Sequence, residues 1–260
     1  MLTHPLLPKL RQLRLGGMAH TLDTRAAQAT AGQLSPTEFL ALLLDDELER
    51  RTGQRLAKNI KQSGCDANKT LAHFDFSAAP DIDRGFISDL ATGAFIARHE
   101  NILLSGPTGV GKSHLANAIA FEALKMEKQI IFRNTAKLLA ELNTARAVGT
   151  HARLLRKILN VDLLVLDDFG LQTLTAQGAQ DLYEIIAERY EQGSLIVTSN
   201  RAFTEWGAIF GNDLLASAAL DRLTHHSHTV VIRGESYRQR HRRKEVNGVN
   251  SVSPATPDLS

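Results

Sequence analysis

Gly106-Pro107-Thr108-Gly109-Val110-Gly111-Lys112-Ser113 follows the apolar run Ile102-Leu103-Leu104 and leads into His114-Leu115-Ala116-Asn117-Ala118. The eight residues match G-x-x-x-x-G-K-[ST] at every fixed position, between a strand-like and a helix-forming run, which is the context the pattern requires. Its glycines let the backbone curl so that successive N–H groups converge on an anion at the positive end of the next helix. Lys112 is then placed to reach β- and γ-phosphates and the Ser113 hydroxyl to ligate Mg²⁺, with Gly106 through His114 as the nucleotide cradle. Chance produces the pattern on the order of once per hundred chains of this length.

Outward from this loop, short apolar runs alternate with helical segments from about residue 81 to 243, the pattern of parallel strands joined by crossover helices. Strands are expected at Asn101–Ser105, Gln129–Arg133, Asp162–Leu166, Ser194–Ser199 and His228–Arg233. Helices are expected to start near Lys112, Thr135, Thr150, Thr175 and Asp213. About 55 residues beyond the lysine, Leu163-Leu164-Val165-Leu166-Asp167-Asp168 is a buried-strand run ending in two acids. Such a strand delivers carboxylates at its C-terminal edge, where Mg²⁺ capture needs them. Asp167 is the better placed to hold the metal's water shell, and Asp168 to polarise an attacking water. Ser194-Leu195-Ile196-Val197-Thr198-Ser199-Asn200 is another buried strand with a polar end. Asn200 there can hydrogen-bond a γ-phosphate or the lytic water, or simply serve a strand-terminal turn. Arg222 and Arg238, taken alone, read as solvated arginines.

The flanks differ in character. Residues 1 to about 66 are expected to form a small helical domain. Leu6, Leu10, Leu13 and Met18 recur at roughly helical spacing, and Ser35-Pro36-Thr37-Glu38 combines an N-cap serine, a proline at the first helical position and a glutamate three residues after the cap. Residues 67–80 read as a connector, 81–243 as the ATPase domain, and 244–260 as a disordered tail of turn-forming and polar residues. The chain of 260 residues carries 30 Lys+Arg and 28 Asp+Glu, a formal net charge of +2, with 43% hydrophobic and 22% charged residues. That composition excludes wholesale disorder and fibrous architectures. No apolar run approaches the ~20 residues of a membrane span, and Pro5, Pro8, Lys9, Arg11 and Arg14 spoil any signal-peptide core. The lone Cys65 excludes an internal disulfide or a cysteine zinc cluster, so a soluble cytoplasmic protein is expected. Arg233, Arg238, Arg240, Arg242, Arg243 and Lys244 crowd around a single acid, Glu235, as a solvated helix face or a phosphate partner would require. His225, His226 and His228 have no carboxylate at metal-binding spacing and are expected to pack or to contact phosphate. Trp206 reads as a packing residue.

Together GPTGVGKSHLA, LLVLDDFG, the TSN strand end, ALDRLTHH and IRGESYR resemble the IstB-type insertion-sequence ATP-binding proteins. These are AAA+ ATPases close to DnaC-type helicase loaders and DnaA-type initiators. The resemblance covers all but roughly the last fifteen residues. It implies an α/β AAA+ P-loop core with a parallel sheet flanked by helices, a helical N-terminal domain and no C-terminal lid. It further implies that Asn200 is a sensor-1 residue, that Arg222 is an arginine finger inserted into a neighbouring subunit's nucleotide, and that Arg238 is a sensor-2 arginine. The second acid is Asp168 where the wider AAA+ pattern has glutamate, and slow hydrolysis would suit a timer.

The two helices between the second and third strands fall where initiators and loaders carry an extra helical element facing DNA. Thr144, Arg146, Thr150, Arg153, Arg156 and Lys157 there are candidate phosphate contacts. The expected protein is an ATPase using ATP and Mg²⁺ that assembles with itself through the ATP interface, on duplex DNA without strong sequence preference, and recruits a transposase. A DnaC-like loader gripping a replicative helicase is the alternative with the same core. A P-loop small-molecule kinase would need an acceptor pocket and an Arg-rich lid, and would leave Asn200 and Arg222 without a role.

Overall fold

A computed structural model describes residues 5–234 together with Ser236 and Tyr237. Arg238 and the segment 244–260 lie outside the described residues. The chain divides into two compact units, Met1–Lys61 and Gln62–Ser260.

The first unit consists of α1 (Leu6–Gln12), α2 (Gly16–Ala31) and most of α3 (Pro36–Ser63). The start of α3 is the capping box expected from Ser35-Pro36-Thr37-Glu38. Ser35 N–H donates to Glu38 Oε2 (2.7 Å) and Glu38 N–H to Ser35 Oγ (3.3 Å). Met18, Leu22 and Leu43 form its core, with Leu7, Leu10, Leu15 and Phe39 against them. The acids of α3 reach inward as well as outward. Glu47, 3% exposed, accepts from Gly17 N–H (2.6 Å), from Arg50 Nη2 (2.6 Å) and from Arg51 Nε (2.7 Å). The Arg50 guanidinium first, then Arg51 and the Gly17 amide, hold the Glu47 carboxyl down at about 2 against the opposing effect of burial.

The second unit opens with single turns at Leu71–His73 and Phe76–Ala78, then α4 (Arg84–Ala91) and α5 (Ala94–Ala97). There follow β1 (Asn101–Ser105), α6 (Lys112–Lys125), β2 (Ile130–Asn134), α7 (Thr135–Ala147), α8 (His151–Leu159) and β3 (Leu163–Phe169). The chain continues through α9 (Ala176–Arg189), β4 (Ser194–Ser199), a turn at Phe203–Glu205, α10 (Trp206–Ile209), α11 (Asp213–His225) and β5 (Ser227–Val231). The strands pair in the order β2-β3-β4-β1-β5, all parallel. Every residue of β1 and β4 is buried, because helices cover both faces of a parallel sheet. Alternate residues Leu103, Leu164, Leu166, Leu195 and Val197 share one apolar cluster with Leu138, Leu142, Ile158, Ile185 and Trp206. Trp206 is 0% exposed there, the packing residue its isolation suggested.

Three strands differ from the expectation, β2 by running Ile130–Asn134 rather than Gln129–Arg133. β5 ends at Val231 rather than Arg233. β3 runs through the acid pair to Phe169, with the register slipping between Leu166 and Phe169. Asp168 takes φ +56° in that bulge, a left-handed conformation for which Asp is among the tolerated residues.

One buried cation ties the far end of the sheet together. Arg189, 1% exposed, donates to the carbonyls of Ile158, Leu159, Val161, Asp162 and Ser194 at 2.8–3.3 Å. Burial pulls its guanidinium down to about 10, which still leaves it charged at neutral pH. No helix among the described residues is long and apolar enough to cross a membrane.

Candidate nucleotide-binding site

The C-terminal ends of β1, β3 and β4 meet at a cavity of about 300 Å³. Parallel α/β sheets offer their ligand crevices at this edge. Thr108, Gly109, Val110, Gly111, Lys112, Ser113 and His114 line it, and Asp168 and Asn200 join them from the neighbouring strands. Six residues of the loop with His114, one acid and the polar strand end therefore converge on one cavity. Lys112 is 5% exposed, and its ammonium donates to the carbonyls of Gly106 and Pro107, both at 2.7 Å. That pair of bonds fixes a point charge inside the loop.

The two acids sit differently. Asp168 lines the cavity; its Oδ2 accepts from Asn134 Nδ2 (3.1 Å), and its N–H donates to Thr198 Oγ1 (3.0 Å). Asp167 turns its carboxylate to the Thr198 hydroxyl, while its carbonyl accepts from Thr135 Oγ1 (2.9 Å). One threonine thus holds both halves of the bulge. The donor set of Ser113 hydroxyl and two carboxylates is all oxygen, the chemistry a Mg²⁺ ion selects, and Mg²⁺ keeps waters that let a set-back carboxylate act through them.

Several residues of this site were not singled out in the sequence. Asn134 closes the apolar run Ile130-Ile131-Phe132 just as Asn200 closes its own strand, so the same signal was present. Lys69, His73, Phe74, Asp75 and Ala78 form part of the cavity wall, although this stretch reads as a connector. It is pinned to α6. The Asn117 side chain, 2% exposed, donates to the carbonyls of Asp66 and Lys69 and accepts from Asp66 N–H, all at 2.8 Å. His114 Nε2 meets Thr70 O at 2.9 Å, and the Phe74 ring packs edge-on against His114 at 5.4 Å.

Arg222 lies at the other end of the sheet. Its neighbour Leu223 offers a carbonyl to Asn101 Nδ2 (3.1 Å), at the start of β1. The guanidinium donates to Ala218 O (2.8 Å) and stands 5.7 Å from the centre of the Tyr183 ring. Close by, His225 Nδ1 meets Tyr190 OH at 2.7 Å and His226 Nε2 stands 3.8 Å from Glu191 Oε1. The fold therefore brings a carboxylate, Glu191, to two of the three histidines, where sequence spacing showed none. His228 instead pairs with Glu100 at 2.8 Å.

The candidate DNA element is α7, its turn and α8. Thr144, Arg153, Arg156 and Lys157 are exposed, and Thr150 is half-buried. Arg146 is engaged within the fold: its guanidinium grips the buried Asp181 carboxylate with both nitrogens and touches His151 Nε2 at 2.8 Å. It fastens the α7–α8 turn to α9.

Comparison with known proteins agrees with this geometry. The model of the IstB-like ATP binding protein family matches residues 8–245. The ATP-binding protein of insertion sequence IS21 from Pseudomonas aeruginosa is 35% identical over 255 residues, covering 98% of this chain and 96% of that protein. Its counterpart in insertion sequence IS5376 from Geobacillus stearothermophilus is 39% identical over 232 residues, covering 89% and 92%. Among solved structures, AMPPCP-bound DnaA from Aquifex aeolicus superposes with a TM-score of 0.54 at 21% identity, over 72% of this chain and 57% of that one. DnaI superposes with a TM-score of 0.52 at 22% identity, over 63% and 90%. The fold is that of the AAA+ P-loop ATPases, and the chain belongs to the IstB-like ATP-binding proteins of insertion sequences.

Proposed function

We propose that the protein is an ATP-switched assembly factor for DNA transposition: it multimerises on duplex DNA in the ATP state and recruits a transposase. The observation that carries this reading is the division of labour across the sheet. Lys112, Ser113, Asp168 and Asn200 gather at one end of the strands, whereas Arg222 stands at the opposite end, beyond reach of its own cavity. A nucleotide site whose arginine must come from another copy makes hydrolysis conditional on assembly, as a switch requires. In this scheme Lys112 and the loop amides hold the phosphates, and Ser113 with Asp167 retains Mg²⁺, which neutralises phosphate charge. Asp168 orients and polarises water, Asn200 contacts the γ-phosphate or that water, and Arg238 serves the γ-phosphate of its own subunit. Exposed Arg153, Arg156 and Lys157, with Thr144 and Thr150, supply sequence-independent phosphate contacts to DNA. Arg146 contributes by holding their turn in place.

The test is ATP-dependent assembly on a duplex of several turns, followed by electron microscopy and by capture of a partner from a transposase and a replicative helicase offered together. Wild type should assemble with ATP and not with ADP, and Lys112→Ala should fail to assemble while remaining folded. Assembly of Lys112→Ala equal to wild type would remove the phosphate role of Lys112. Capture of a replicative helicase in place of the transposase would favour the loader reading.

A further inference from the structure

The chain beyond β5 does not leave the phosphate loop. Ile232 N–H donates to Ser105 O (2.8 Å), extending the pairing of β1 and β5 by one rung. The Ile232 carbonyl then occupies the space that a Cβ on Gly106 would need. Further along, Tyr237 N–H donates to Gly109 O (2.9 Å), and the Ser236 side chain fills the space that a Cβ on Gly109 would need. Gly106 and Gly109 adopt φ +148° and +86°, backbone that glycine enters without steric cost. Both therefore owe their identity to two demands at once, the turn and the segment lying against it. The Tyr237 ring lines the cavity mouth and remains 41% exposed.

A trans peptide group is planar, with its C=O and N–H pointing in opposite directions. Anchoring the Gly109 carbonyl on the Tyr237 amide commits the Val110 N–H to the opposite face of the loop. Convergent N–H groups are what a phosphate loop uses to cradle the α- and β-phosphates. We infer that Ile232, Ser236 and Tyr237 form an external template for the phosphate loop, with the Tyr237 backbone amide and the Ser236 side chain as positioning residues for nucleotide capture. The template acts on phosphates that ATP and ADP share. That separates it from the role given to Arg238, which concerns the γ-phosphate alone.

Calorimetric titration with ADP and with a non-hydrolysable ATP analogue, both with Mg²⁺, tests this. Tyr237→Pro deletes the amide hydrogen, and Tyr237→Ala keeps it while removing the ring. The proline variant should bind both nucleotides about three- to tenfold more weakly than the alanine variant, the range of one lost orienting hydrogen bond. Equal affinities in the two variants would overturn the template. So would a loss confined to the ATP analogue, since that would mark a displaced Arg238. A second pair is independent of proline and of whether that variant folds. Gly109→Ala should weaken both nucleotides by about tenfold or more, from left-handed strain and collision with Ser236. Adding Ser236→Gly should recover part of that loss. Failure to recover, in a variant whose thermal melt matches the single mutant, would show that Ser236 does not press on the loop.

Discussion

Arg222→Ala should leave nucleotide affinity almost unchanged and abolish the rise of turnover with protein concentration. The size of the effect follows from where the residue stands. Leu223 is bonded to Asn101 at the start of β1, and the phosphate loop begins after Ser105 at its other end. Five strand residues at ~3.3 Å each put ~16 Å between those points. At that separation and an effective dielectric of ~20, Arg222 offers the nucleotide of its own subunit only ~1 kcal/mol. Delivered by a neighbour to within ~4 Å of developing negative charge, at an effective dielectric of ~20, the same guanidinium is worth ~4 kcal/mol. At ~1.4 kcal/mol per decade this is a rate factor of about 10³, at the low end of what arginine fingers supply. Phosphate release should therefore be measured per protomer across a concentration series, with and without duplex DNA. Wild type should accelerate by about that factor as it assembles. Mixing is decisive: Arg222→Ala and Lys112→Ala subunits are each inactive, but a mixed assembly contains interfaces that join an intact loop to an intact finger. Partial recovery on mixing is the expected result. No recovery, with co-assembly verified by light scattering, refutes action across the interface.

Three further outcomes are expected. Asp168→Asn keeps a group that Asn134 can meet but removes the charge, so turnover should fall by about 10²–10⁴ while ATP-bound protein stays longer on DNA; unaltered turnover would assign water activation to another residue. Asn117→Leu strands two carbonyls and an amide of the segment after α3, which should cost about 2–4 kcal/mol in denaturant unfolding, and a cost below ~0.5 kcal/mol would mean that the latch is replaced by water. Glu47 binds fewer protons folded than unfolded once pH drops below the usual carboxylate range, so its stabilisation is complete above that range and disappears as pH falls towards about 2. Helicity of the full chain should show this acid-dependent loss, and Glu47→Gln should flatten it; an unchanged acid profile in that variant would place the titrating group elsewhere.

What could be read from sequence was whatever is encoded locally. β1 and β4 were legible because burial on both faces leaves an unbroken apolar run, and the phosphate loop because each fixed residue meets a local backbone or ligand need. The extent of β3 was not, because a bulge that absorbs Asp167 and Asp168 depends on Thr198 in the adjacent strand. Phe74 and His73 carry no pattern that marks a cavity wall; they become one only when Asn117, about 50 residues later, fixes the backbone of Asp66 and Lys69. The ion pair of Arg146 was hidden for the same reason. A cation beside small hydroxylated residues reads as a phosphate contact until its partner, Asp181, arrives from a helix 35 residues away.

The left-handed turn at Asp168 also limits which side chains the second acid position accepts. Short polar side chains are favoured in that conformation and β-branched or bulky ones are outliers, whereas glutamate is admitted, since Glu127 and Glu191 take φ +63° and +58° elsewhere in the chain. The main chain at this position thus selects against branched and bulky replacements and leaves aspartate and glutamate both open. Exchange for glutamate, chemically the smallest step available, keeps the backbone bond from residue 168 to Thr198 Oγ1 and changes only how far the carboxylate extends from the bulge. The reach of the second carboxylate is therefore open to a single substitution while the bulge and its threonine anchor stay in place.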